Sequence, residues 1–343
     1  MSQTDLLIGP QTWTGAILID KPEGITSAHV LDRFKRVWRT RYGWKSRELP
    51  TIGHGGTLDP FATGVLVVLL GSSTRLSQYL LGSDKTYQAT IQFGVQTSTG
   101  DLTGEVTRSA PVPSSFSALQ STSQTFLGSD YWQVPPMVSA KKRDGVALYT
   151  LARQGIEIER APIRCQVKSI EVQPSATSHS LDGSPPEVHT AQLTACVSGG
   201  TYIRTLAEDL ASRAGSLAHL TQLRRTASGP FSLDRAISAE AFEGYLREAP
   251  DHREDLERQS FWISPYALTW KLPHLTIDEV TAKRIRRGEQ EALLRLHEPL
   301  NEFQAHSEVV LSLDNELIAI VRHDPALSGV WKYARVFPER TSR

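Results

Sequence analysis

The densest cluster of chemically capable residues is Gly53-His54-Gly55-Gly56-Thr57-Leu58-Asp59-Pro60, which runs directly into the unbroken apolar stretch Val-Leu-Val-Val-Leu-Leu at 65–70. Three glycines let the backbone turn sharply and approach a ligand, while a buried strand behind them would give the Asp59 carboxylate a fixed base. A phosphate cradle is excluded, because no Gly-Lys-Ser/Thr follows. An aspartyl-phosphate site is disfavoured, because Pro60-Phe61 brings no second acid. On its own, Asp59 fits two roles equally well: a reacting carboxylate, or an acid that caps its own turn. His54 likewise reads either as a ligand contact or as a structural loop histidine.

Two further clusters carry polar chemistry. In Ser83-Asp84-Lys85-Thr86-Tyr87, Tyr87 opens an alternating strand and reads as a core aromatic or as a ring on which a base stacks. In Gly199-Gly200-Thr201-Tyr202-Ile203-Arg204-Thr205, a glycine-rich turn opens a helix expected over 202–214, with Thr201 as its cap. Arg204 in a first helical turn is slightly unfavourable. An arginine placed there to grip Asp59 in bidentate geometry, and to keep it ionised, would offset that penalty.

The elements that must position these residues follow from periodicity. Strands are expected over 16–19, 65–70, 87–95, 167–172 and 191–197, and helices over 30–39 and near 148–153. Because strands and helices do not alternate regularly, the fold class is α+β rather than a doubly wound sheet. Segment 174–187, rich in Ser, Pro and Gly, reads as a flexible loop, and residues 309–313 and 317–321 flank Asp314-Asn315 as a hairpin would. A small β-rich second unit is expected from about residue 270.

Composition narrows the classes. The chain has 343 residues, 39% hydrophobic and 22% charged, enough for two domains. Two cysteines, Cys165 and Cys196, exclude a disulfide scaffold and a cysteine-based zinc cluster. No apolar run approaches a membrane span, and the N-terminus lacks a secretion pattern, so a soluble, cytoplasmic protein is expected. Net charge is zero, but residues 28–47 hold seven basic side chains against Asp32, and residues 240–258 hold seven acids against three arginines. Arg33, Arg36 and Arg39, with Lys141, Lys142 and Arg143 and the Lys283, Arg284, Arg286, Arg287 cluster, are candidates for phosphate contacts or solvated surface.

In this order, the clusters resemble the bacterial tRNA pseudouridine-55 synthases, the TruB type of pseudouridine synthase. The resemblance covers about residues 15–235: Gly15-Ala-Ile-Leu-Ile-Asp-Lys-Pro22, Gly53–Pro60, Ser83–Tyr87, Val134-Pro-Pro-Met-Val-Ser-Ala-Lys141, Leu151-Ala-Arg-Gln-Gly155, Gly200–Thr205 and Leu223-Arg-Arg225. It implies a mixed, largely antiparallel sheet flanked by helices, with an N-terminal tail at 1–14. A catalytic domain at 15–265 would carry an RNA-contacting insertion near 130–160, followed by a PUA-like domain at 270–340. It implies that Asp59 is the catalytic aspartate, paired with Arg204, that Tyr87 stacks on the target uracil and that Leu223 packs against the base. His54 would fill space left in the RNA loop, Tyr202 would line the pocket, and Lys21 with Pro22 would support the active-site loop. No metal or cofactor is implied, the partner is the T stem-loop of tRNA, and a monomer is expected. Gly55 and Gly199 depart from the threonine and lysine usual in bacterial members, and residues 39–50 lengthen the link to the catalytic loop. A non-catalytic RNA-folding protein and a guide-dependent synthase are the alternatives.

Overall fold

The computed structural model describes residues 13–128, 130–139, 142–143, 146–148, 151, 154–156, 158–175, 188–248, 253–303, 305–324 and 330–338. Most of the helix expected at 148–153, nearly all of the 174–187 loop, and Lys141 lie outside them, and the Lys142 side chain is not described.

The first strand, β1 (Gly15–Lys21), leads into α1 (Ser27–Tyr42), then β2 (Ile52–His54), β3 (Thr63–Leu70), α2 (Ser77–Leu81) and β4 (Lys85–Phe93). After α3 (Phe116–Gln124) come β5 (Val167–Pro174), β6 (Thr190–Val197), α4 (Ile203–Arg213), β7 (Ala218–Ser228), β8 (Ile237–Ser238) and α5 (Ala239–Glu248). The principal sheet runs β5-β6-β4-β7-β3-β1-β8. Its pairings are antiparallel except β7 with β3 and β1 with β8, so the sheet is mixed and largely antiparallel as expected. The β7–β3 approach is close: a Cβ on Gly64, at φ +102°, would lie 2.1 Å from the Arg225 carbonyl oxygen, so only glycine lets the two strands meet there.

The unbroken apolar run of β3 is explained by what covers its two faces. Leu66, Val68 and Leu70, with Ile17 and Ile19 of β1, pack beneath α1 and α5. Val65, Val67 and Leu69, with Ala16 and Leu18, face Val310, Leu317, Ile320 and Phe337 of the C-terminal unit. A strand covered on both sides has no polar face to alternate with. By contrast β4 alternates: Ala89, Ile91 and Phe93 enter the core under α4, and Gln88, Thr90 and Gln92 lie on the other side. The alternation expected through residue 95 stops at Phe93, because Gly94 at φ +87° turns the chain into a separate ribbon, Val95–Thr97 with Val106–Ser109.

Helix α1 is capped by Thr26, whose side chain accepts from the His29 amide, and buries Val30, Leu31, Phe34, Val37 and Trp38, the expected stripe. The basic stretch and the acidic stretch prove to be partners. Arg33 pairs with Glu243 and, at 3.1 Å, with Glu240, and Arg41 donates to the Leu246 carbonyl at 2.6 Å. The expectation of an RNA-facing Arg33 is therefore corrected: burial of the α1–α5 seam recruits its charge to hold two helices together. Arg36 and Arg39 stay exposed on the same helix, Arg39 donating to Ser46.

The C-terminal unit is a four-stranded sheet: His274–Thr276, Glu308–Leu313, Glu316–Asp324 and Val330–Val336. Asp314 and Asn315, at φ 48° and 61°, form the two-residue turn that the sequence marks. Within the basic cluster, Lys283, Arg284 and Arg286 pair with Glu279, Glu289 and Glu316.

Candidate active site

The loop that ends in Asp59 has no slack. Arg225 donates to the Gly56 and Thr57 carbonyls at 3.1 and 3.2 Å and to Val65 at 2.7 Å. Ser27 Oγ accepts from the Leu58 amide at 2.9 Å and donates to the Leu58 carbonyl. The Asp59 carbonyl accepts from Ala62, and the Pro60 carbonyl from Gly24 and from Lys21 Nζ. Every carbonyl from Gly56 to Pro60 thus has a donor, and the loop is as fixed as a strand.

Onto this loop the start of α4 brings Arg204, itself only 2% exposed. Its Nε lies 2.9 Å from Asp59 Oδ2. The contact is single rather than the expected bidentate grip, because the other donors are engaged elsewhere: Nη1 with the Thr99 carbonyl at 2.6 Å, Nη2 with the Val138 carbonyl at 2.8 Å. Asp101, buried and holding Thr99 and Thr103, stands 3.6 Å from Nη1 as a second counter-charge. Burial lifts the proton affinity of the Asp59 carboxyl above that of a free aspartate; Arg204 pulls it back down, and Asp101 adds to the rise. The guanidinium therefore acts in the expected direction, favouring the ionised carboxylate, but it offsets a desolvation cost and does not make Asp59 unusually acidic.

Asp59, Tyr87, Tyr202, Arg204 and Leu223 line one cleft, together with Leu81, Lys85, Ser139 and Arg225. Tyr87 comes from β4 and Leu223 from the adjacent β7, each with a partly or fully buried ring or side chain set against the core under α4. Tyr202 occupies the cap position of α4 in place of the expected Thr201, and burial raises its hydroxyl pKa. What fixes Tyr202 is Gln133, fully buried, whose amide accepts from the Tyr202 amide at 2.9 Å and donates to its carbonyl at 3.0 Å.

Two predicted residues stand off the cleft wall. Lys21, which could also be counted among the substrate-binding residues by motif position, is fully buried and donates to the Pro22, Ile25 and Pro60 carbonyls, so it braces the loop and does not line the cleft. His54 is half-buried on β2 with Nδ1 unpartnered, and burial together with Arg225 lowers its pKa and favours the neutral ring. Sequence reasoning missed Lys85, Asp101, Gln133 and Arg225 as parts of the site. Only Asp101, in the turn Thr99-Gly-Asp-Leu-Thr, carries a local signal, that of an acid closing its own turn.

A half-buried carboxylate paired with a buried guanidinium, at the floor of a cleft walled by two tyrosines and a leucine on a mixed sheet, is the arrangement of an enzyme whose cleft sets aromatic rings beside a carboxylate. Residues 44–203 match the model of the TruB family pseudouridylate synthase N-terminal domain, and residues 204–261 match that of the tRNA pseudouridylate synthase B C-terminal domain. The chain is 44% identical to the tRNA pseudouridine synthase B of Bordetella pertussis over 71% of this chain and 90% of that protein. It is 37% identical to that of Psychrobacter cryohalolentis over 89% and 78%, respectively. Among solved structures, one titled as a Cbf5-Nop10-Gar1 complex shares the fold, with a TM-score of 0.62 and 22% identity over 96% of this chain and 85% of that one. The chain belongs to the TruB family of pseudouridine synthases.

Proposed function

We propose that this protein isomerises uridine 55 in the T loop of tRNA to pseudouridine, using Asp59 as the catalytic carboxylate. The reaction breaks the bond from C1′ to N1, turns the uracil and rebonds it through C5; no atoms are gained or lost and no electrons leave, so the chemistry calls for no cofactor. It does call for an ionised carboxylate and a closed space that keeps the detached base. The observation that carries the reading is the 2.9 Å pair between Asp59 and Arg204 on the cleft floor beside Tyr87 and Leu223.

A stacked base is out of reach, so the uridine leaves the loop and enters the cleft, at a cost of a few kcal/mol regained by stacking on Tyr87 and packing on Leu223. Arg204 orients the carboxylate, while Lys21, Ser27 and Arg225 hold the loop that bears it. His54, on the strand leading into that loop, takes the space vacated in the RNA, and Arg36 and Arg39 supply phosphate contacts. The C-terminal sheet is read as PUA-like, a second RNA-contacting surface within the same proposal. Identity of 44% to a relative named tRNA pseudouridine synthase B favours tRNA as the substrate. As part of that reading, the chain acts as a monomer in the cytoplasm without a guide. The substrate acts through its folded shape.

The test is Asp59→Asn. The variant is expected to fold, to bind unmodified T stem-loop RNA within a few-fold of the parent, and to form no pseudouridine in a mapping assay. Turnover at more than about 1% of the parent rate, a loss smaller than the roughly 10²–10⁴-fold of a removed acid–base group, would refute the assignment.

A further inference from the structure

Leu81 ends α2 with its side chain 52% exposed, on the wall of the cleft that holds Asp59. A single exposed leucine is ordinary on a protein surface. The way its turn is held is not. Lys85 Nζ donates to the Leu80, Leu81 and Ser83 carbonyls at 2.7, 2.9 and 2.7 Å, and Lys271 Nζ donates to the Gly82 carbonyl at 3.2 Å. Two ammonium groups thus fix four consecutive carbonyls.

Behind the turn, two glycines make room for it. A Cβ on Gly55 would stand 2.5 Å from Leu80 Cδ1, and a Cβ on Gly199 would stand 2.3 Å from the Leu81 carbonyl oxygen. Neither glycine has a positive φ, so what each supplies is space rather than an unusual backbone. The glycine-rich loops of Asp59 and of Arg204 both seat the segment that carries Leu81.

We propose that Leu81 is a substrate contact: its side chain packs on an unstacked base of the RNA loop whose uridine occupies the cleft. The inference rests on the function proposed above and adds a residue to it. An apolar side chain held rigidly in water gains nothing from the protein, but it loses little further freedom when a ring settles on it. Lys271, exposed beside the turn, places positive charge behind an apolar tip, while Lys85 beneath it is a buried donor whose pKa burial lowers to about 7. That combination fits a base on a phosphate backbone better than an apolar peptide or a lipid.

Because Leu81 is exposed, its substitution leaves the core intact and the test is clean. The full-length protein is assayed with unmodified T stem-loop transcript, comparing Leu81→Ala, Leu81→Asp and Leu81→Met. Leu81→Asp is expected to raise both Kd and KM about 10-fold or more and Leu81→Ala somewhat less, with Leu81→Met near the parent. Thermal midpoints should match throughout. The single-turnover rate at saturating RNA should stay within about threefold of the parent, since the lost contact is made before the chemical step. Gly199→Ala, which must displace the Leu81 carbonyl, should shift Kd in the same direction. Parent-like Kd and KM in both Leu81→Ala and Leu81→Asp would overturn the inference. A parent protein that binds the stem-loop but forms no pseudouridine sinks the proposed function, while the Kd comparison still decides Leu81. A parent that does not bind the stem-loop sinks both.

Discussion

In the proposed reaction Asp59 must be charged to act, in a place that resists charge. Burial raises its pKa above the free aspartate value of about 3.9, so the rate should rise with pH on its acid limb through a point above that value. The same shift has a stability sign: the unfolded chain releases this proton more readily than the folded one, so stability falls as pH climbs from the free aspartate value through the folded one. Asp59→Asn should remove that slope, and paired denaturation curves across pH 4–7 measure it. An acid limb of single-turnover rate at or below about pH 4 would contradict the burial argument. Tyr87 is a ring before it is a hydroxyl: Tyr87→Phe should keep most activity, whereas Tyr87→Ala should slow the single-turnover step about 100-fold with RNA affinity changed less, by the worth of one stacked base. An unslowed chemical step in Tyr87→Ala would remove the ring from catalysis. Asp59 and Arg204 were legible in the sequence because each sits in a motif whose local chemistry is odd, as with an arginine in a first helical turn, and Tyr87 because a ring opens its strand, whereas Tyr202 and Leu223 were placed by the family resemblance. Lys85, Arg225 and Gln133 were not, because their partners are backbone carbonyls and amides, close by for Lys85 and far along the chain for Arg225 and Gln133, and such atoms leave no trace in side-chain patterns.

At the scale of elements, three clamps decide whether the two halves of the pair meet. Lys21 ties the end of β1 to the Pro60 carbonyl, Arg225 of β7 holds Gly56 and Thr57, and Gln133 grips both peptide groups of Tyr202 where α4 begins. Lys21 is buried enough that its pKa falls to about 8. The folded chain therefore sheds that proton before the unfolded chain does, and stability should rise with pH from about 8 towards the free lysine value near 10.4. Lys21→Met should flatten this rise and, by freeing the loop, lower kcat with KM little changed. A parent curve with no rise in that window would count against the buried amine. Gln133→Leu should cost about 1–3 kcal/mol, since it strands the Tyr202 amide in the interior, and it should lower kcat by loosening Arg204. Denaturant titration beside a turnover assay separates the two effects. Element positions were legible wherever one face is wet or a cap is present, as at α1 and β4. The pairing of the basic stretch with the acidic one was not, because a charge pattern does not say whether its partner is RNA or another helix.

At the scale of the molecule, the C-terminal sheet is part of the core. From the sequence it reads as an appended unit starting near residue 270, and the change of texture there is real. Yet Val310, Leu317, Ile320 and Phe337 share one buried cluster with Ala16, Leu18, Val65, Val67 and Leu69 of the catalytic sheet, joined by Leu76, Leu80 and Leu268. Tyr79 donates to Glu308 at 2.7 Å across the same boundary, and Lys271, between the two sheets, holds the turn beside the cleft. Strands β1 and β3 are apolar on both faces, so removal of the C-terminal sheet would strip part of the cluster that covers one face of the catalytic sheet. The hydrophobic cost, about 25 cal/mol per Å² of apolar surface, is too large for a tethered appendage to lose without consequence. The whole chain is therefore expected to unfold in one cooperative denaturant transition, with far-UV circular dichroism and tryptophan fluorescence coincident, although its length would permit two. Ile320→Ala, which opens a cavity at the boundary, should lower the stability of that single transition by about 2–5 kcal/mol and should also reduce turnover at elevated temperature. Two resolved transitions, with activity surviving the first, would show that the sheets are independent and that the shared core contributes little.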